Sequence, residues 1–494
     1  MQIRRTKIIA TLGPATDSPE VLRAVIEAGA DVLRVNLSHG THEDQAARAE
    51  QVRAIADELN REVAILADLR GPKIRIERFM NGSVELKSGD KFTLDVSDEP
   101  APGSQSRVGV TYKGLAGDVS PGDLLLLDDG LLTMRVVDIK TTNIVCEVET
   151  GGILRDRKGI NVHGGGLSLP GIAEHDIEDI PRAAAMGADY LAVSFPRNAE
   201  DMNEARRRLR EAGSHARLVS KIERTEAITN LEEIIAASDA VLIARGDLGV
   251  EIGDAELPGL QKLITSKSLE QNRIVITATQ MMQSMIESPI PTRAEVLDVA
   301  NSVFDGTDAV MLSAETAVGQ HPHTVVEAMN RICLGAERYA DTRLNCDHLN
   351  VQFQRIDQAI AMAAMFMATN VSVQAIVALT ESGSTAQWLS RIRSAVPIFA
   401  LSPLQDSRRR MALYRGVYPV ANDFPSMDVE DALVEGIKLL VQQGSIRAGD
   451  RIILTMGEQR GNEGGTNSLR LVQVGEDGYV EHNPSLDICP INGG

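Results

Sequence analysis

Eight times along this chain a short run of aliphatic and β-branched residues recurs, and helical spacing separates most of the runs. Few folds are open to a chain built that way. The runs are KIIATL (7–12), DVLRVNL (31–37), VAILADL (63–69), DYLAVSF (189–195), RLVSKIE (217–223), AVLIARG (240–246), RIVITAT (273–279) and DAVMLSA (308–314). Four of them are approached through one phrase: AGADVLRVN from 28, MGADYLAVS from 186, AASDAVLIA from 236 and DGTDAVMLS from 305. Each phrase offers small residues, an aspartate and then the run. A helix that ends in a tight turn before a buried parallel strand reads this way. An open, doubly wound sheet uses the same β–α units, but a count of eight favours closure into a (β/α)8 TIM barrel.

The rhythm breaks between the third and fourth runs. SVELKSGDKFTLDV, GDLLLLDDGLLTMRVVDI and NIVCEVETGG read as hairpins with Gly and Asp turns. The expectation is a small β-barrel inserted as a lid in a loop on the catalytic face, where barrel loops commonly grow. After about residue 344 AIVALT, PIFALS, GVYPV, DRIILTMG and LRLVQV alternate with helices as a separate α/β unit. The expected division is a catalytic barrel over 1–69 and 169–343, a β lid over 70–168, and a C-terminal α/β regulatory domain over 344–494.

Aromatic residues make up only 3% of the chain, so these cores must be aliphatic. A net charge of −19 argues against nucleic acid as the main partner, because a phosphate backbone attracts basic surfaces. Cysteines 146, 333, 346 and 489 form no CxxC and show no metal spacing, which reads as reduced thiols in a cytoplasmic protein. No apolar stretch near the start reads as a signal peptide, and AIAMAAMFMA is about half the ~20 residues that a membrane helix needs.

In such a barrel the chemistry gathers at the carboxyl ends of the strands. The second run ends RVNLSHG, so Arg34, Asn36 and Ser38 share a face while the chain stays extended. The fifth ends SKIE, with Lys221 and Glu223 on one face, and the sixth ends ARGDLGVE, bringing Asp247 alongside. Two carboxylates with no His or Cys nearby suit a hard cation, for which Mg2+ is the natural choice. The seventh run offers Thr279, and the eighth offers Ser313 and Glu315. A metal together with cations is equipment for a phosphorylated substrate. The chain has no Gly-Lys dipeptide and hence no Walker A loop, and it has neither HExxH nor GxSxG.

RVNLSHG, DLRGPKIR, SKIE, ARGDLGVE, TATQMM and PTRAEVLDVANSVFDGTDAVMLSAETAVGQHP together resemble the pyruvate kinase family, as does the layout of insert and C-terminal unit. The resemblance implies Mg2+-dependent transfer of a phosphoryl group from phosphoenolpyruvate to ADP, giving pyruvate and ATP, with Mn2+ as an alternative metal. It implies that Arg34 and Lys221 contact the phosphoryl group and that Glu223 and Asp247 hold the metal. It also implies that Gly246, Asp247 and Thr279 seat the substrate carboxylate. Arg34, Asn36, His39, Arg75 and Lys158 would serve the nucleotide, the last two from a lid that closes. Thr279 and Ser313, through water, are the candidates for protonating the enolate. The family further implies a homotetramer.

One stretch departs from the family. Many members need K+, bound by residues matching Asn36, Ser38, Asp68 and a threonine where this chain has Leu69; they carry glutamate where it has Lys73. Leu69 offers no side-chain oxygen and Lys73 brings a fixed ammonium, so the expectation is that Lys73 replaces K+ and that none is required. The loop TESGST, with Thr380, Ser382, Gly383, Ser384 and Thr385, stands at a strand end before a helix and is the expected phosphate site of an effector, AMP or a sugar phosphate. GEQRGNEGGTN (457–467) is a second loop in the same region. Two other readings share parts of this equipment: a metal-dependent TIM-barrel lyase or aldolase acting on a 2-oxo acid, and a catalytically silent metabolite sensor.

Overall fold

The structure is a computed structural model that describes residues 3–339, 353–422, 427–457, 464–475 and 480–481. The eight runs are strands: Lys7–Thr11, Val32–Asn36, Ala64–Asp68, Tyr190–Val193, Arg217–Ile222, Ala240–Ala244, Ile274–Ala278 and Ala309–Leu312. All are parallel, each lies beside its sequence neighbours, and the first pairs with the last, so the sheet closes as a barrel. Alternation along a strand decides which side chains enter the site. In the third strand Ile65 and Ala67, and Leu69 just beyond it, join the apolar layer under the helices. Ala64 and Leu66 belong to the interior, the face that Asp68 shares.

The aspartate in the recurring phrase has one job, done four times. Asp31 accepts the Ile8 N–H at 2.8 Å, Asp189 the Ile65 N–H at 2.7 Å, Asp239 the Leu218 N–H at 2.8 Å and Asp308 the Val275 N–H at 2.8 Å. Each donor stands at the start of the preceding strand. These carboxylates therefore satisfy backbone donors at the amino rim and fix the stagger within strand pairs one–two, three–four, five–six and seven–eight. Each also meets arginine: Arg4 on Asp31 (2.9 Å), Arg53 on Asp189 (2.8 Å), Arg206 and Arg217 on Asp239 (3.1 and 3.3 Å), and Arg391 on Asp308 (2.6 Å).

The stretch between the third and fourth strands forms a six-stranded sheet in the order Ile160–Val162, Leu124–Leu127, Leu132–Lys140, Asn143–Thr150, Lys91–Asp95, Arg107–Gly109. A two-strand ribbon, Ser83–Leu86 with Gly152–Arg155, lies beside it. Residues 74–77 close the sheet. On one edge Ile76 donates to the Lys158 carbonyl (2.9 Å) and Ile160 to that of Ile74 (3.0 Å). On the other Glu77 donates to the Gly109 carbonyl (2.8 Å) and Thr111 to that of Arg75 (2.9 Å). The core inside, with Ile74, Ile76, Phe92, Leu94, Val108 and Leu125, is separate from that of the barrel.

Beyond the barrel, Ala375–Leu379, Ile398–Ser402, Val417–Ala421 and Arg451–Met456 are parallel strands, extended by antiparallel Ser468–Val474 and Val480–Glu481. This unit docks on the amino rim. Tyr190 donates to the Arg410 carbonyl at 2.6 Å, and Lys7 to that of Val417 at 2.7 Å. Cys146 and Cys333 are buried free thiols, whereas Cys346 and Cys489 lie outside the described residues. No helix among the described residues is long and apolar enough to cross a membrane.

Arg391 and Asp308 join the two units as a buried bidentate pair, each side chain only 2% exposed. Replacing Arg391 with methionine leaves the Asp308 charge buried without its partner. The expected cost is about 3–5 kcal/mol in urea unfolding, and adding Asp308→Asn should recover a large part of it. Equal stability of wild type and R391M would show that the pair holds nothing together.

Candidate active site

At the carboxyl end of the third strand Asp68 is fully buried and is the centre of a charged cluster. Arg34 Nε, from the second strand, donates to its Oδ2 at 2.6 Å, and a further guanidinium nitrogen donates to Thr11 Oγ1 at 3.1 Å. Lys221 Nζ, from the fifth strand, lies 3.3 Å from Asp68 Oδ1 and 2.9 Å from Glu223 Oε1. Burial alone would raise the Asp68 pKa, but the Lys221 and Arg34 charges win and hold it below the usual carboxylate range. Lys221 is desolvated as well, yet Asp68 and Glu223 raise its pKa and keep it charged.

Glu223 is 2% exposed, and its Oε2 accepts the Phe195 N–H at 2.9 Å. Burial, with the negative charges of Asp247 and Asp68 added, pushes its pKa up to about 7 despite Lys221. Lys221 is shared with Asp68, so Glu223 is left short of positive charge. That shortage is what a cation would remedy. Asp247 opens the helix Arg245–Ile252 next to the sixth strand. No group of three or more His, Cys, Asp or Glu among the described residues is arranged to hold a metal. The two carboxylates nevertheless fit a Mg2+-type ion, which takes few protein oxygens.

Lys73 goes to a different place from the one expected. Its Nζ pairs with Asp247 Oδ1 at 2.6 Å, while Asp68 is taken by Arg34 and Lys221. The charge is thus delivered to the metal-type carboxylate and not to the group of Asn36, Ser38 and Asp68. Leu69 packs away from the site. Its side chain is 2% exposed within the layer under the helices, so no side chain at 69 faces the site; its carbonyl does accept a bond, from Ser194 at 2.8 Å. Gly71, with φ +65°, lies so close to the fourth strand that a Cβ would meet the Ser194 Cβ at 2.6 Å. Beside it Asp176 accepts the Gly71 N–H (3.0 Å), and Asp179 pairs with Arg70 (2.7 Å).

The seventh strand ends in strained backbone. Thr279 and Gln280 are both left-handed, at φ +64° and +56°. The Arg245 guanidinium holds the turn, donating to the Thr279 carbonyl at 2.7 Å while pairing with Asp298 at 2.7 Å. As a result Thr279 Oγ1 accepts the Gly246 N–H at 2.9 Å, which joins two of the anticipated carboxylate-seating residues.

Other expected residues are not drawn into this cluster. Asn36 Oδ1 accepts the Ser38 N–H at 3.1 Å, a local turn that takes exposed Ser38 off the strand face, and His39 is exposed. Arg75 donates to the Arg157 carbonyl (3.0 Å) and Lys158 pairs with Asp128 (2.8 Å), both inside the insert. The Ser313 side chain makes no capping bond; its N–H goes to buried Glu315 (2.7 Å), which also accepts from Met282 (3.2 Å). TESGST does join a strand to the helix Ser384–Arg391. Its Gly383 N–H bonds Thr380 Oγ1 (3.1 Å), and Ser384 Oγ lies 3.4 Å from Asp357. Residues 458–463 of the second loop lie outside the described residues.

Sequence reasoning missed Ser194 and Thr11. Lys221 donates to Ser194 Oγ at 2.8 Å, so the fourth strand contributes to the cluster as well. The signal was a single hydroxyl at the end of an apolar run, in YLAVS.

Two family models match the chain: "Pyruvate kinase, barrel domain" over residues 3–326 and "Pyruvate kinase, alpha/beta domain" over 358–472. Among similar proteins, "Pyruvate kinase II" of Salmonella typhimurium is 52% identical over 96% of this chain and 99% of its own length. "Pyruvate kinase" of Haemophilus influenzae is 48% identical, with the same coverage. "Pyruvate kinase" of Geobacillus stearothermophilus is 41% identical over 95% of this chain and 80% of its own.

Where the insert returns to the barrel, Glu251 is 3% exposed and its Oε2 accepts the Thr225 N–H at 2.9 Å. Burial, with Glu226 nearby, pushes its pKa up to about 7 against the pull of Arg224. The folded state then holds a proton that the unfolded chain releases near pH 4.5. Its contribution to stability is full below that pH and is lost as pH rises through about 7. Glu251→Gln should therefore gain on wild type in melting temperature from pH 5 to pH 8, by the equivalent of about 1–3 kcal/mol. A constant difference across that range would exclude the shift.

Proposed function

The chain belongs to the pyruvate kinase family, a family of phosphotransferases, and from that premise we propose that it transfers a phosphoryl group from phosphoenolpyruvate to ADP, giving pyruvate and ATP. The observation that carries this reading is the buried cluster of Arg34, Asp68, Lys221 and Glu223 at the carboxyl end of the barrel. Asp68 holds both cations in place. The Arg34 guanidinium and the Lys221 ammonium then offer fixed positive charge to the equatorial oxygens of the group in transfer, with no reorganisation at the moment of reaction. Glu223 and Asp247 would hold Mg2+, or Mn2+ in its place, which supplies charge stabilisation to phosphate and enolate oxygens. The Thr279 hydroxyl and the Gly246 backbone, already bonded to each other, line the place for the substrate carboxylate. Thr279 and Ser313, through water, are the candidates for protonating the enolate.

Arg75 and Lys158 lie on the insert, so they reach a nucleotide only if that unit closes over Asn36 and His39; closure would also exclude water. The enzyme is read as soluble and cytoplasmic. A homotetramer is in keeping with exposed apolar residues along the stretch from the seventh strand to the turn after the eighth, Ile290, Leu297, Phe304 and Val318. An effector bearing phosphate, AMP or a sugar phosphate, is assigned to the hydroxyl-rich loop Thr380 to Thr385.

K+ is not required in this reading. The Lys73 ammonium already stands on Asp247, a charge of the same sign and valence placed inside the site. In K+-free buffer with a tetraalkylammonium salt the wild type should remain active, and KCl should raise its rate less than about tenfold. Lys73→Glu should make activity depend on added K+. Negligible wild-type activity that KCl restores would remove Lys73 from this role.

A coupled assay of ATP formation from phosphoenolpyruvate and ADP tests the main reading; a pure, folded preparation that forms none would defeat it. Lys221→Met should lower kcat by about a thousandfold in a protein that still folds, with some loss of melting temperature because buried Asp68 and Glu223 lose a shared cation.

A further inference from the structure

A small cavity, with room for a single water-sized group, lies where the C-terminal unit meets the amino rim of the barrel. That is the end opposite to the charged cluster. Its wall includes Arg5 from the barrel and Arg393, Arg415, Ser390 and Ser394 from the C-terminal unit, and no carboxylate. The joint is knitted together around it. The Gly416 N–H donates to the Arg5 carbonyl at 3.0 Å, and the Ser390 hydroxyl to the Arg415 carbonyl at 2.9 Å.

Four guanidiniums meet at this joint, and two carboxylates answer them. Glu337 accepts from Arg5 Nε at 3.4 Å and from the Arg5 and Thr6 backbone N–H groups at 3.0 and 2.6 Å. Asp308 is taken by Arg391, at 2.8 and 2.6 Å. The other two arginines bond only neutral oxygens among the described residues. Arg415 donates to Thr6 Oγ1 at 2.6 Å and to the Thr307 carbonyl at 3.2 Å, and Arg393 donates to the Gly306 carbonyl. Alongside, Arg4 and Lys7 share Asp31, so no spare negative charge comes from that side. Arg415 is only 9% exposed. Burial lowers the pKa of both arginines against the pull of nearby carboxylates, and takes Arg393 to about 10. Two positive charges are thus withdrawn from water without a counter-charge, which is costly unless something pairs them.

We infer that this cavity binds a monatomic anion, chloride by its size, held by Arg393 and Arg415 at the joint. Each guanidinium has N–H groups left over after its bonds to neutral oxygens. Ser394 Oγ accepts the Val396 N–H at 2.9 Å and keeps its own proton to donate. Met365, Leu389 and Val396 complete the wall with apolar surface. A tetrahedral oxyanion finds neither the room nor donors for all its oxygens, and a water molecule would fill the space without answering the charge. A single halide does both. Arg393 reaches the barrel at Gly306, and Arg415 reaches it at Thr6 and Thr307. An anion between them therefore favours the docked arrangement of the two units. None of Thr380 to Thr385 lines this cavity, so the site is separate from that loop.

Two measurements on the full chain test the site without recourse to activity. In crystals grown with sodium bromide, an anomalous peak should stand in the cavity beside Arg393 and Arg415. In solution, sodium chloride should raise the melting temperature above that in sodium gluconate of equal ionic strength, by about 2 °C or more, and the gain should saturate. Arg393→Gln, at the less buried of the two arginines, should remove that difference. Val396→Leu should remove it too, since it fills the space and leaves every charge in place. A cavity without anomalous signal would overturn the proposal, as would equal melting of wild type in the two salts or a chloride gain that survives both substitutions. A bromide peak with no gain in solution would mean an adventitious ion only, and would defeat it equally. The bromide measurement uses the wild type, so it decides the matter even where a variant fails to fold.

Discussion

Four hydrogen bonds from backbone N–H groups to aspartate side chains at the amino rim fix the relation within four strand pairs on which the rest of the barrel depends. Asp31, Asp189, Asp239 and Asp308 each take the N–H of the strand before, and so lock the strands in pairs. The stagger set at that end reappears at the other. Ala192 stands opposite Asp68 because Tyr190 stands opposite Leu66, in the pair that Asp189 locks, while the ladder between strands two and three sets Asn36 opposite Asp68. A slip of one residue would turn Asp68 into the apolar layer and Ala67 into the site. The place of Asp68 beside the fourth strand is thus a downstream result of rim chemistry at the other end of the strands.

Much of this was legible in the chain. Eight runs at regular spacing leave little choice of architecture, and the polar residues that interrupt them mark the working end. The phrase with its aspartate was legible as a pattern, but its meaning was not. That meaning requires knowing which N–H the carboxylate reaches, and the donor lies about 20 to 125 residues away in sequence.

Lys73 shows where such reading stops. Residue types and spacing announced an extra cation near a strand end, and an extra cation is there. Its partner is decided by competition: Asp68 already has two cations, whereas Asp247 retains charge to share. The direction of Leu69 follows from a simpler rule, since alternation after Asp68 turns its side chain outward. Ser194 escaped notice because a lone hydroxyl after an apolar run is more often the start of a turn.

The closure of the insert through residues 74–77 has a mechanical consequence. The segment that leaves the barrel is itself a wall of the smaller one, bonded on both sides within one residue of Ile74. No free edge remains there for another chain to pair with, and no slack lies between Lys73 and the body it leads into. Any movement of the insert is therefore a swing of the whole piece, like a door whose hinge pin is cut from its own frame. The ammonium on Asp247 is carried at the pin, where a large swing outside means a small displacement within the site.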